Sequence, residues 1–346
     1  MPPLLDIPQD LEPVQRHLAA GADLVQSRIA LHLESDLAPV QRLVKHVEKY
    51  RGKMLRPALV FLSALAAQAD AEPGSPCSEE PSETSIVIGS VCEMVHLATL
   101  VHDDVLDDAD TRRRTRTVNA LAGNEAAVIL GDYLFSAAFN LCAHLDTQHT
   151  SRRVAEVGMT LCAGELLQLD HRHDFALDER TYFQIVERKT ASLIAAACEL
   201  GARHAHEGAA RSSAPRLERF GGSLGVAFQI QDDLLDIAGD QLVVGKTLGK
   251  DLEKGKLTLP IIHHLTVADN LTRGRTLDLL ADDDHTALER RQHLRAALRV
   301  TDSITYARTV AEQMVERARL ALEPLADSSA KRMLLLMADA VVTRTW

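Results

Sequence analysis

Two groups of three aspartates set the chemistry. Asp103, Asp104 and Asp107 stand in LVHDDVLDDAD, and Asp232, Asp233 and Asp236 repeat the same D-D-x-x-D spacing in QIQDDLLDIAGD. At 100° per residue the first and last members of each group lie within about 40° of one another, one turn apart, so two carboxylates stack on one helical face. Apolar residues precede and interrupt each group, which places the charges where a helix is expected to be buried. Unpaired buried carboxylates are costly, and hard divalent cations are their natural compensation. An oxygen ligand set without His or Cys favours Mg2+ over zinc, and Mg2+ combines one or two carboxylates with substrate phosphates. A D-D-x-x-D standing alone is more often a solvated helix end; two copies on apolar helices shift the balance to metal binding. A third acidic run, Asp282, Asp283 and Asp284, sits in a polar stretch before a new helix and reads as an N-cap.

Cations adjoin both acidic motifs. Lys53 and Arg56 lie in RGKMLRP, where Pro57 starts a helix, and Arg112, Arg113 and Arg114 follow the first aspartates. Lys189, in ERKTAS, and Lys246, in VGKTLGKD, belong to the second half. Such clusters are usually solvated surface, but beside carboxylates they point to metal and phosphate bound together. His171 with His173, and His204 with His206, lack carboxylate companions at ligand spacing and read as surface.

The elements that must hold these groups are helices. No proline occurs between Pro81 and Pro215, and apolar residues recur at helical spacing through 86–106, 126–145, 154–169 and 182–200. A further long helix is expected over 217–237 and shorter ones from 257 onward, with loops over 113–117 and 239–256. The Pro-, Ser- and Glu-rich stretch 70–84 reads as a solvated loop too short to divide domains. Aromatics make up 3% of the 346 residues while Ala and Leu abound, which suits helices over strands. The expectation is an all-α fold in a single domain over 1–346.

Lys and Arg number 38 against 49 Asp and Glu, a net charge of -11, which argues against nucleic-acid binding and makes any basic site local. Cys77, Cys92, Cys142, Cys162 and Cys198 are scattered and lack C-x-x-C spacing, so a reducing cytoplasm fits better than a disulfide framework or a zinc site. The opening MPPLLDIPQD has no basic segment followed by an apolar run, and no stretch reaches the ~18 apolar residues of a membrane span. The expectation is a cytoplasmic protein without a transmembrane segment.

The motifs together resemble those of the trans-isoprenyl diphosphate synthases, also called polyprenyl synthetases. The resemblance rests on GKMLRP at 52–57, EMVHLATLVHDDVLDDADTRR at 93–113 and GNEAAVILGDYLFSAAF at 123–139. It continues through GELLQL at 164–169, RKTASLIAAACELGA at 188–202, and GVAFQIQDDLLDIAGD through GKTLGKDLEKGKLTLP at 225–260. It implies a bundle of mostly antiparallel helices around a deep apolar cavity, paired as a homodimer, that joins an allylic diphosphate to isopentenyl diphosphate. The six motif aspartates would then hold about three Mg2+ ions on the allylic diphosphate, with Arg112, Lys189 and Lys246 in direct contact with it. Lys53, Arg56, His96 and Arg113 match positions that grip isopentenyl diphosphate, and His96 lies about 20° from Asp103 on the same helical stripe. Thr190 and Gln229 match positions near the allylic cation. Arg114 replaces the glycine usual in relatives, which bears on the loop geometry.

Ala98 and Thr99, the fifth and fourth residues before Asp103, are small where relatives making short products commonly carry a bulky aromatic. One helical turn rises 5.4 Å, roughly an isoprene unit, so a product of about six to ten units is expected. The competing view is that Ala98 is small because two helices pack closely there. Of the alternatives, a short-chain farnesyl or geranylgeranyl diphosphate synthase differs only in length. A class I terpene cyclase usually replaces the second aspartate motif, and a non-catalytic partner subunit is expected to lose aspartates or cations that this chain keeps.

Overall fold

The computed structural model describes residues 9–50, 52–74, 77–78, 80–113, 115–145, 147–205, 212–239, 250–281 and 287–343. Arg114, His206, Lys246 and the run Asp282, Asp283 and Asp284 lie outside them. The described residues form an all-α fold with one short hairpin.

Helices α1 (Glu12–His32) and α2 (Ala38–Val47) carry a proline in the first turn, where the missing N–H has no helical partner to lose. Helix α3 (Leu55–Ala71) starts two residues before Pro57. Helix α4 (Glu83–Leu106) is capped by Ser82, whose hydroxyl accepts from the Ser85 N–H at 3.2 Å. After it, β1 (Thr111–Arg112) pairs antiparallel with β2 (Thr115–Arg116), so two residues of the expected loop, Thr115 and Arg116, form a strand. Helices α5 (Val118–Ala122), α6 (Asn124–Cys142) and α7 (Gln148–Asp170) follow.

The helix expected over 182–200 is three pieces: α8 (Glu179–Val186), a π turn (Glu187–Ala191) and α9 (Ser192–Arg203). Then come α10 (Ala214–Ala238), α11 (Lys250–Glu253), α12 (Leu259–Val267), α13 (Asn270–Leu280), α14 (Ala287–Val300), α15 (Ser303–Leu322) and α16 (Ser329–Thr343). The C-terminal helices are not uniformly short, since α15 runs 20 residues. Its buried positions include Ala307, Ala311 and Ala318, whose small side chains leave a weak apolar signal in the sequence.

The chain divides into two compact units. The first comprises Met1–Gly158, Leu193–Glu218 and Pro324–Leu334; the second comprises Met159–Ser192, Arg219–Glu323 and Leu335–Trp346. In the first, α4 packs on α1, α3 and α6, and is buried on nearly every side through residues such as Ile88, Val91, Met94 and Val95. Each such side chain contributes about 1.5–3 kcal/mol. The core of the second joins Val226, Ile230 and Leu234 of α10 to Leu259, Ile261 and Ile262 of α12, with Leu294 of α14 and Val310 of α15.

Contrary to the expectation from uninterrupted apolar runs, α4 and α6 are long and apolar enough to cross a membrane by length and composition alone. The apolar window of α4 is 78% buried inside the protein and that of α6 39%. Interspersed Gly, Ser and Thr break the runs in these helices without lowering their mean hydropathy much.

Candidate active site

In the first unit the acidic group closes a helix. Asp103 and Asp104 occupy the last turn of α4 and Asp107 is its C-cap, with the Asp107 N–H donating to the Asp103 carbonyl at 2.8 Å. Carboxylates here oppose the negative end of the helix macrodipole, so cations must compensate them. Asp103 and Asp107 are half-buried, whereas Asp104 is only 1% exposed. Arg112, on the hairpin that follows the helix, donates from Nε to Asp104 Oδ1 at 2.8 Å. Burial raises the Asp104 carboxyl and Arg112 works against that rise. The Tyr50 hydroxyl also works against that rise.

The other cations converge on the middle of α4. Arg56, in the first turn of α3, and Arg113, whose guanidinium donates to the Tyr50 carbonyl, act on Glu93, a carboxylate 5% exposed. Burial pushes Glu93 up and the two arginines pull it back. His96, one turn further along α4, is held well below the usual histidine range by burial and by Arg56, Arg113 and Arg112. It is therefore a neutral hydrogen-bonding group, not a fourth charge. Lys53 is exposed. Glu93 is a site residue that sequence reasoning missed, although a lone carboxylate three residues before His96 on an apolar helix was a usable signal. Tyr50, fully buried, gave none; burial and the nearby Asp104 charge push its hydroxyl up to about 12.

In the second unit, the π turn carries Lys189 and Thr190. Such turns widen a helix locally and are frequent at functional sites. Two glycines let neighbouring helices reach this one. A Cβ on Gly164 of α7 would lie 2.7 Å from Arg188 Cβ, and one on Gly225 of α10 would lie 2.6 Å from Ala191 Cα. The close approach of α7 brings Glu165 into an ion pair with Lys189 Nζ. That of α10 brings Gln229, one turn past Gly225, to Thr190, whose Oγ1 donates to Gln229 Oε1 at 2.8 Å.

Gln229 Nε2 donates in turn to Asp233 Oδ1 at 2.8 Å, and the Tyr182 hydroxyl donates to Asp233 Oδ2 at 2.6 Å. Asp233 is 4% exposed, and burial together with the Asp251 carboxylate holds it well above the usual carboxylate range against the pull of those donors. Asp232 is half-buried; Asp236 is 6% exposed and accepts from the Asp251 N–H at 3.3 Å. Lys189, Thr190, Gln229, Asp233, Asp251 and Lys256 line a cavity of about 120 Å3.

Three neighbours at this cavity were missed. Asp251 and Lys256 follow the second motif in a stretch read as plain loop. His171, read as surface, lines the cavity and pairs with Asp174 at 2.7 Å, an i,i+3 carboxylate present in HRHDF. His204 has no such role and bonds Thr150 at 2.8 Å.

The family model described as polyprenyl synthetase matches residues 38–298. An all-trans-nonaprenyl-diphosphate synthase (geranyl-diphosphate specific) from Rhodobacter capsulatus is 33% identical, over 98% of this chain and 99% of its own. A short chain isoprenyl diphosphate synthase from Methanothermobacter thermautotrophicus is 32% identical, over 90% of this chain and 92% of its own. The crystal structure of a polyprenyl synthase from Caulobacter crescentus, complexed with calcium and isoprenyl diphosphate, superposes with a TM-score of 0.86 at 28% identity, covering 97% of this chain and 98% of that one. The chain belongs to the polyprenyl synthetase family. It is a prenyl-transferring enzyme with the all-α fold of that family.

Proposed function

We propose that the enzyme condenses isopentenyl diphosphate with an allylic diphosphate, head to tail and with trans geometry, to give a polyprenyl diphosphate. The observation that carries the reading is the pair of acidic helix ends, each with a buried carboxylate held by internal donors and each accompanied by cations. The donor set suits Mg2+. Asp103, Asp107, Asp232 and Asp236 would hold it as oxygen donors, while Asp104 and Asp233, engaged by Arg112 and by Tyr182 and Gln229, would add charge and fix the site. Among the described residues no group of three or more His, Cys, Asp or Glu makes a cage on its own. That fits a cation whose remaining ligands are phosphate and water oxygens.

When bound, Mg2+ stabilises the diphosphate charge that develops as the allylic C–O bond breaks. Arg112, Lys189 and Lys246 take up further charge on the allylic diphosphate, with Lys189 exchanging Glu165 for phosphate. Lys53, Arg56, Arg113 and His96 hold isopentenyl diphosphate; the shared neighbour Glu93 supports grouping Arg56 with Arg113. Thr190 and Gln229 direct dipoles at the allylic cation, which the isopentenyl double bond attacks. The released pyrophosphate removes the proton, so no protein nucleophile is needed, and exclusion of water preserves the cation.

Ala98 and Thr99 are both small, and Thr99 turns its hydroxyl back to the His96 carbonyl of its own helix. This supports a product of about six to ten units. Relatives of long and short product match at nearly equal identity, so side chains rather than overall likeness decide length. Val128 and Ile129, 41% and 67% exposed on α6, support a homodimer through that face. The five free cysteines support a cytoplasmic enzyme, and a family match reaching into both units supports one functional domain. The test is to incubate the purified protein with labelled isopentenyl diphosphate and allylic starters of graded length, with and without Mg2+, and to size the products. Chains of about six to ten units that vanish on chelation are expected. Products ending at about three or four units would return the short-chain reading.

A further inference from the structure

We propose that Tyr182, acting through Asp233, sets the hydrogen-bond direction of Gln229 and Thr190, so that both turn oxygen lone pairs rather than hydrogens toward the cavity. The inference rests on the prenyl-transfer reading above and assigns a positioning role to Tyr182, whose hydroxyl is committed to Asp233.

The four side chains form one line of bonds. Tyr182 Oη donates to Asp233 Oδ2 at 2.6 Å, Gln229 Nε2 to Asp233 Oδ1 at 2.8 Å, and Thr190 Oγ1 to Gln229 Oε1 at 2.8 Å. Each link dictates the next. Gln229 Nε2 faces Asp233 Oδ1, so the amide carbonyl oxygen is the end turned to Thr190. Threonine has a single hydroxyl proton, and the Gln229 oxygen takes it. What remains on Thr190 Oγ1 is lone pairs. Thr190 and Gln229 both line the cavity, where an allylic carbon turning positive is stabilised by lone pairs and repelled by a hydroxyl hydrogen.

Tyr182 starts the line. It is 4% exposed, its ring belongs to the apolar core with Val186, Ile230 and Leu234, and its hydroxyl serves Asp233. That hydroxyl is the donor in its 2.6 Å bond to Asp233 Oδ2. Without it, the carboxylate is free to rotate about its own bond and releases its grip on the Gln229 amide. The backbone supports the arrangement. Gln229 and Asp233 are one turn apart on α10. Tyr182 and Thr190, eight residues apart, would stand about 80° out of line on a plain helix, and the wider π turn between them takes up part of that rotation.

Tyr182→Phe keeps the ring and removes the hydroxyl. Binding is measured calorimetrically for two unreactive allylic diphosphate analogues, one with an ammonium nitrogen where the cation forms and one neutral, with sulfur as the bridging atom. Tyr182→Phe should weaken the ammonium analogue about tenfold, the scale of one hydrogen bond to a charged group, and leave the neutral one unchanged. Turnover should fall by a similar factor with both Michaelis constants unmoved. Thr190→Val should act alike and Thr190→Ser should not, and the Tyr182→Phe, Thr190→Val double variant should lose no more than Thr190→Val alone. Equal weakening of both analogues, no weakening of either, or losses that add would overturn the proposal. Thr190→Val leaves Tyr182 in the core, so its selective effect can be read even if Tyr182→Phe fails to fold. Failure of the prenyl-transfer reading has a separate signature: neither analogue would bind the unsubstituted protein, and the relay would fall with it.

Discussion

At the scale of the residue, the two aspartate motifs are not rows of equivalent carboxylates. The middle member of each group of three turns into the protein, Asp104 to Arg112 and Asp233 to Tyr182 and Gln229, while Asp103 and Asp232 remain half-buried. The half-buried members are therefore the ones to test for metal-assisted ionisation. Asp103→Asn and Asp232→Asn should each lower turnover at least about a hundredfold, the scale for losing one main electrostatic stabiliser, with the circular dichroism spectrum unchanged. The cations divide differently. Lys53 is assigned to isopentenyl diphosphate, so Lys53→Ala should chiefly raise the Michaelis constant for that substrate; an effect confined to the allylic substrate would reverse the assignment. The aspartates were legible in the sequence because spacing and an apolar setting are local properties. Asp251 and Lys256 were not, because what marks them is which side chains folding brings beside them.

At the scale of the element, helix existence was readable and helix interruption was not. The apolar period predicts a continuous helix over 182–200, and the break into α8, a π turn and α9 leaves that period almost intact. What lets other helices come close to the π turn is the missing Cβ at Gly164 and Gly225. The hairpin of β1 and β2 escaped for a related reason: two residues per strand are too few to show alternation. Helix α4 carries the length prediction. Ala98→Phe should shorten the main product by several units while turnover survives, measured by sizing the dephosphorylated products. An unchanged length would mean that Ala98 is small only to let helices pack.

At the scale of the whole molecule, each unit keeps a carboxylate buried above its ordinary proton affinity, Asp104 in one and Asp233 in the other. A carboxyl raised in the folded state favours the fold below its unfolded value, near 4, and that contribution is lost as pH climbs through the raised value. Metal-free protein should therefore lose stability as pH rises from about 4 toward the raised values. Mg2+ with pyrophosphate should recover the loss, by about 2.7 kcal/mol at a hundredfold excess over the dissociation constant, measured by differential scanning calorimetry. The central claim, Mg2+-dependent transfer between two diphosphates, is tested most directly by pyrophosphate release from the purified protein supplied with isopentenyl diphosphate, an allylic diphosphate, or both. Release should require both substrates and Mg2+, in amounts equal to the isopentenyl diphosphate consumed. Release at the same rate from the allylic substrate alone, or none with both present, would contradict the account.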